Sequence, residues 1–185
     1  MNNYRINTNY AKALLLLATD RGDIDRVADD MRLVGSVASG SRELTAVFAN
    51  PTVKVDKKVA ILRDLFADHV SDTTLAFLLF VVRKNRSASL QGISNAYLDM
   101  WRGVKGIVLS DLVTHQPIDE TAREMVTRLV GEHTGKQVEL HDRIDQNMLG
   151  GFKLEFDHTM YDARIRTKIR KLRNEFARND YESKL

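Results

Sequence analysis

Ile144-Asp145-Gln146-Asn147-Met148-Leu149-Gly150-Gly151-Phe152-Lys153-Leu154-Glu155-Phe156 is the stretch that decides how the second half of this chain folds. Two adjacent glycines give the backbone access to positive φ, where a side chain would clash. Directly after them Phe152, Leu154 and Phe156 alternate with Lys153 and Glu155. That period of two predicts a chain leaving a tight turn and entering a half-buried β-strand. Asp157-His158-Thr159 carries turn chemistry, so Met160-Tyr161-Asp162 is expected to return as a second strand edge. Asp145 reads as a turn or capping residue, since no second carboxylate is spaced to pair with it as an acid–base couple.

Working outward, Ile107 to Thr114 reads as a strand, Asp119 to Glu132 as a helix through Ala122, Met125, Val126 and Leu129, and Gln137 to Leu140 as a further strand. Beyond the glycine turn, Ile165, Ile169, Leu172 and Phe176 stripe a final helix. Residues 106–185 therefore form a small α/β domain. This final helix is strongly basic: Arg164, Arg166, Lys168, Arg170, Lys171, Arg173 and Arg178 face the single acid Glu175. Such a helix can grip nucleic acid, an anionic membrane or an acidic partner helix, and the charge alone does not choose. It lacks interleaved stacking aromatics, because Phe176 falls on the apolar stripe.

Residues 1–105 carry a helical period almost throughout. Tyr10, Ala13, Leu14, Leu17 and Ala18 share a face of a first helix, expected to begin at a Thr8 or Asn9 cap and to stop near Gly22. Ile24, Val27, Ala28, Met31 and Val34 mark a second helix ending near Gly35. Leu44, Val47 and Phe48 mark a third, closed before Pro51. Val55, Val59, Leu62, Phe66 and Val70 stripe a fourth, and Ser71-Asp72 caps a fifth, apolar over a wide arc. Leu90, Ile93, Ala96, Tyr97, Met100 and Trp101 define the sixth. The fold expected is mainly α: a six-helix bundle over 1–105, then the α/β domain over 106–185.

Composition narrows the chemistry. With 185 residues, 43% hydrophobic and 29% charged, the chain is an ordinary globular sequence with a mild net charge of +3. No cysteine is present, which removes disulfides, thiolate metal sites and cysteine nucleophiles. No apolar run reaches the ~20 residues needed to span a bilayer, and Met1-Asn2-Asn3-Tyr4-Arg5 has no secretory core or transit pattern, so a cytoplasmic setting is expected. Gly35-Ser36-Val37-Ala38-Ser39-Gly40-Ser41-Arg42 has phosphate-loop glycine spacing, but Ser-Arg replaces Lys-Ser/Thr and a helix precedes it, so it reads as a flexible interhelical loop. His69, His115, His133, His141 and His158 form no metal-binding spacing, and no Gly-x-Ser-x-Gly elbow presents a nucleophile. No catalytic site, metal site or cofactor is expected.

Val138-Glu139-Leu140, Ile144-Asp145, Met148, Gly150-Gly151-Phe152 and Leu154-Glu155 resemble, in order and spacing, the signature of the ATP synthase delta subunit family, bacterial counterpart of the oligomycin sensitivity-conferring protein. Tyr10-Ala11-Lys12-Ala13-Leu14, Asn50-Pro51 and Lys84-Asn85-Arg86 resemble that family's N-terminal landmarks, with one residue fewer before Arg86. The chain departs from the pattern at Asp157 and at Tyr161-Asp162-Ala163-Arg164, where the family usually reads Ile-Asp-Gly-Ser. The resemblance implies a non-catalytic stator subunit, peripheral on the cytoplasmic face of a bacterial inner membrane. A groove between the first and fifth helices would receive the N-terminal helix of an alpha subunit, with Tyr10, Ala13, Leu14, Leu78, Val81 and Val82 as candidate contacts. The C-terminal domain would meet the peripheral-stalk b subunits. Binding of nucleic acid through the basic helix stands as the alternative from another class, and a small enzyme as a weaker third.

Overall fold

In the computed structural model the described residues are 2–177; Met1 and Arg178, the last of the basic residues named above, lie outside them. The protein is mainly helical with one small sheet, and it divides into two compact units, Met1–Lys105 and Gly106–Leu185.

The first unit contains α1 (Asn2–Arg21), α2 (Ile24–Gly40), α3 (Arg42–Ala49), α4 (Val55–Phe66), α5 (Asp72–Arg83) and α6 (Leu90–Lys105), with a 3-10 turn at Ser87–Ser89. α6 packs along both α1 and α2. Ala11, Leu14, Ala18, Val27, Met31, Val34, Leu62, Leu78, Val81, Val82, Ile93 and Tyr97 fill the interior. Each contributes through apolar area removed from water, about 25 cal/mol per Å².

Two sequence expectations are corrected here. α1 begins at Asn2 rather than at a Thr8 or Asn9 cap, because the Thr8 hydroxyl donates to the Tyr4 carbonyl (2.9 Å) within the helix. α2 does not stop at Gly35 but runs to Gly40, so most of the expected interhelical loop is helix. Gly35 is tolerated there because it faces α6: a Cβ at that position would stand 3.6 Å from the Ser94 Cβ. Val70 is buried as expected, although it lies beyond the end of α4.

Polar pins fix the helix ends. Ser71 caps α5 by accepting from the Thr74 N–H (3.3 Å), and buried Asp30 on α2 accepts from both the Ser71 N–H (2.9 Å) and the Ser71 hydroxyl (2.6 Å). Removing the carboxylate leaves those part-buried donors without it. Asp30→Ala should therefore cost about 2 kcal/mol, read as a lower urea midpoint with unchanged slope. The Lys58 ammonium is buried too, donating to the Phe48 carbonyl (2.9 Å) and the Ser87 hydroxyl (3.1 Å), which places a cation at the C-terminal end of α3.

The second unit is a four-stranded mixed sheet with order β2-β1-β3-β4. β1 (Ile107–Thr114) pairs parallel with β2 (Gln137–Ile144) through the crossover helix α7 (Glu120–Thr134), and antiparallel with β3 (Phe152–Phe156), which pairs antiparallel with β4 (Thr159–Asp162). β2 is longer than expected, continuing to Ile144 because it pairs with β1 along its whole length. One sheet face carries Val108, Leu112, Leu154 and Phe156, which pack with Val130 of α7. The β3–β4 connection is a two-residue turn in which Asp157 and His158 both take positive φ (40° and 64°), the twist that hairpins require. The last helix, α8 (Ile165–Ala177), follows directly.

Candidate interaction surfaces

In the first unit the space between α1 and α5 is bridged at two points and open between them. Tyr10 lies against two rings of α5, edge-on to Phe77 (centroids 6.5 Å apart) and tilted to Phe80 (6.3 Å). Arg21, at the far end of α1, donates to the Thr73 hydroxyl (2.9 Å). A groove of about 250 Å³ is lined by Leu17, Arg21, Thr73, Ala76, Phe77 and Phe80. Phe80 remains 47% exposed and Leu17 38%, and together they give the groove an apolar rim. The Lys84 ammonium stands over the Phe80 ring at 5.6 Å.

The six contact candidates separate under this geometry. Tyr10 is half-buried at the groove's edge, and Ala13 is exposed on the same helix. Leu14, Leu78, Val81 and Val82 are turned into the core at 0–1% exposure. In their place Leu17, Ala76, Phe77 and Phe80 line the opening. The missed signal was a second stripe on α5: Thr73, Ala76, Phe77 and Phe80 recur at i, i+3, i+4 and i+7, beside the core stripe of Leu78, Val81 and Val82. A helix apolar on two adjoining arcs keeps one for the interior and leaves the other open in part, here at Ala76 and Phe80.

The glycine turn sits in the second unit. Asp145 forms an Asx turn, its carboxylate accepting from the Asn147 N–H (3.0 Å) while its own N–H donates to the Thr114 carbonyl (2.8 Å). Gly150 (φ +132°) and Gly151 (φ +84°) then reverse the chain, and Phe152 starts β3 at the rim of an apolar groove. The turn also receives the start of α8: the Ile165 N–H donates to the Gly150 carbonyl (3.0 Å) and the Ala163 N–H to the Phe152 carbonyl (2.9 Å).

Asp162 completes that clasp. Its carboxylate accepts from the Arg164 N–H (3.0 Å), the Arg164 guanidinium (2.9 and 2.6 Å) and the Thr167 hydroxyl (3.0 Å). The guanidinium first, then the backbone and Thr167 bonds, hold the Asp162 carboxyl far below the usual carboxylate range. A depressed folded-state pKa contributes stability that is complete above the ordinary carboxylate pKa of about 4 and fades only as pH falls below it. Amide exchange at Arg164 and Thr167, corrected for intrinsic rate, should thus be the same at about pH 7 and about pH 5. In Asp162→Ala it should be faster at both.

Two further apolar surfaces lie open in this unit. A groove of about 550 Å³ runs between α7 and the sheet, lined chiefly by Met125, Leu129, Leu154, Phe152, Phe156 and Tyr161. His133 stands edge-on to Phe156, with ring centroids 5.8 Å apart. α8 turns its whole apolar stripe to solvent. Among the described residues no three His, Asp or Glu side chains gather as metal ligands, and no helix is long and apolar enough to cross a membrane.

Open apolar grooves beside well-filled cores define a docking subunit, a protein whose surfaces are shaped to hold other chains. The comparisons with known proteins name the kind. The family described as ATP synthase delta (OSCP) subunit matches residues 6–176. ATP synthase subunit delta of Cytophaga hutchinsonii is 36% identical over 176 residues, covering 95% of this chain and 96% of that protein. The protein of the same name from Chlorobium luteolum is 33% identical over 165 residues, covering 89% and 91%. A chain of the Toxoplasma gondii mitochondrial ATP synthase hexamer shares the fold, with a TM-score of 0.73, 21% identity and coverage of 92% of this chain and 97% of that one. The chain belongs to the ATP synthase delta (OSCP) subunit family. It is a stator-type subunit, and nothing in these relatives supports the nucleic-acid reading of the basic helix.

Proposed function

We propose that this protein is a non-catalytic tie between the catalytic head of a rotary ATP synthase and its peripheral stalk, seated on the cytoplasmic face of the membrane. The observation that carries the reading is the α1–α5 groove, where Phe80 stands half exposed beside the partly buried Tyr10 and the buried Phe77. An amphipathic helix places side chains at i, i+3, i+4 and i+7 into such a groove, and the amino-terminal helix of an alpha subunit is the occupant proposed. The second unit takes the b subunits of the stalk. Torque is resisted by buried apolar contact, which dissociates slowly, and no bond-making chemistry is required of the chain. The six-helix bundle of residues 1–105 serves the head and the α/β domain of residues 106–185 serves the stalk.

Membranes stripped of their delta subunit provide the test. Adding the wild-type chain should restore ATP-driven ion pumping, whereas Ala13→Asp or Phe80→Asp should leave ATP hydrolysis running and pumping uncoupled from it. Equal restoration by wild type and by folded groove variants would refute the head-docking role.

A further inference from the structure

The apolar residues of α8 are Ile165, Ile169, Leu172 and Phe176, spaced four, three and four residues apart. This is the narrow seam of a coiled coil rather than the broader face by which a helix enters a globular core. In that register Ile165 and Leu172 take d positions, and Ile169 and Phe176 take a positions. Among the described residues the seam is only partly covered, with Ile165 near Gly150 and the four side chains 42, 55, 52 and 87% exposed. Its e flank is wholly cationic, and its g flank carries one charge of each sign. Arg166 and Arg173 occupy e positions and Lys168 a g position, with Glu175 the one acid, while Arg170 and Lys171 add to the cationic outer face.

The start of α8 is held, so the seam has a defined direction. The Ile165 N–H bonds the Gly150 carbonyl, and Asp162 ties Arg164 and Thr167. A helix anchored firmly at its first turn and bare along its apolar length is prepared to pair laterally with another helix. A second parallel copy of α8 would set Lys168 against Arg173 across the seam, which repels. An acidic helix answers every one of these cations and meets a like charge only at Glu175.

We infer that α8 is one strand of a two-helix coiled coil, its partner an acidic amphipathic helix with apolar a and d positions and Glu or Asp at e and g. The inference deepens the stalk-facing reading of the second unit by stating the chemistry of the segment that would seat there.

The test uses the full chain and a pair of synthetic three-heptad peptides, identical with Ile at a and Leu at d, one with Glu and one with Lys at e and g. The Glu peptide should bind 1:1 and at least about tenfold more tightly than the Lys peptide, since attraction replaces repulsion at several exposed pairs. Leu172→Asp, at a solvent-exposed position, should abolish binding without changing the thermal melt. Arg166→Glu/Arg173→Glu should invert the preference toward the Lys peptide. Equal binding of both peptides, no inversion, or wild-type binding by Leu172→Asp would overturn the inference. So would self-association of the chain, or capture by phosphatidylglycerol vesicles with no peptide binding. An alpha-subunit helix peptide titrated in parallel separates the two readings. Its binding without the Glu peptide defeats the α8 inference alone, and the reverse result defeats head docking alone.

Discussion

A chain carrying Gly151→Val should lose the seat of α8 and about 4 kcal/mol of stability in the second unit. Three costs converge on that residue. Gly151 sits at φ +84°, a conformation that β-branched residues avoid. A Cβ there would lie 2.3 Å from the Ala163 carbonyl oxygen and 3.0 Å from the Arg164 Cα, so it meets rigid backbone and not a side chain that can swing away. Relief requires the start of α8 to move, which breaks the Ala163-to-Phe152 and Ile165-to-Gly150 bonds. Hydrogen exchange should find the Ala163 and Ile165 amides unprotected in the variant. Gly22→Ala is the control: its φ is +72° but nothing lies within 4 Å of the added methyl, so only the conformational cost of about 1 kcal/mol is expected. If Gly151→Val and Gly22→Ala prove equally mild, the turn does not hold α8 as described.

Phe80→Asp should reduce affinity for the proposed alpha-subunit helix about 100-fold while leaving the first unit folded. The ring is half exposed and flanks the groove, so its loss opens no cavity in the core, and a carboxylate there desolvates without a partner when a helix enters. Ala13→Asp, on the opposing helix, should act in the same sense. Leu78→Asp behaves differently: that side chain is 1% exposed, and an unpaired buried charge should unfold the unit outright. Thermal melts beside peptide titrations separate the two outcomes, a folded protein that no longer binds from a protein that no longer folds. A Phe80→Asp chain with undiminished affinity would remove the groove from the account.

The physics of α5 explains why the candidate contacts were only partly legible in the sequence. Its wide apolar arc announces that more than a core face is present, and Ser71 announces its start. Periodicity alone does not say which arc faces inward, because Leu78, Val81 and Val82 differ from Ala76, Phe77 and Phe80 only by rotation about one axis. That choice is made by tertiary packing: α2 and α4 lie against α5, and the first set is buried. The second half was read more fully. Alternation at Phe152, Leu154 and Phe156 finds β3 at its observed bounds, and the striping of Ile165, Ile169, Leu172 and Phe176 finds α8. What local pattern could not reach was tertiary: the pairing that extends β2 to Ile144, and the reason for two glycines, which is the approach of Ala163 and Ile165. Boundaries at α1 and α2 failed for a related reason. Thr8 and Gly35 carry the local chemistry of helix ends, yet a back-bonded hydroxyl and close packing on Ser94 absorb each into a helix interior.

The most direct measurement is an isotopic-label titration of the full chain with a peptide matching the amino-terminal helix of the same organism's ATP synthase alpha subunit. Saturable 1:1 binding, little weakened by salt, with the largest shifts at Tyr10, Leu17, Ala76 and Phe80, is the predicted result. Shifts confined to α8 that vanish as salt rises, with α1 and α5 unmoved, would contradict the groove as the seat of the catalytic head.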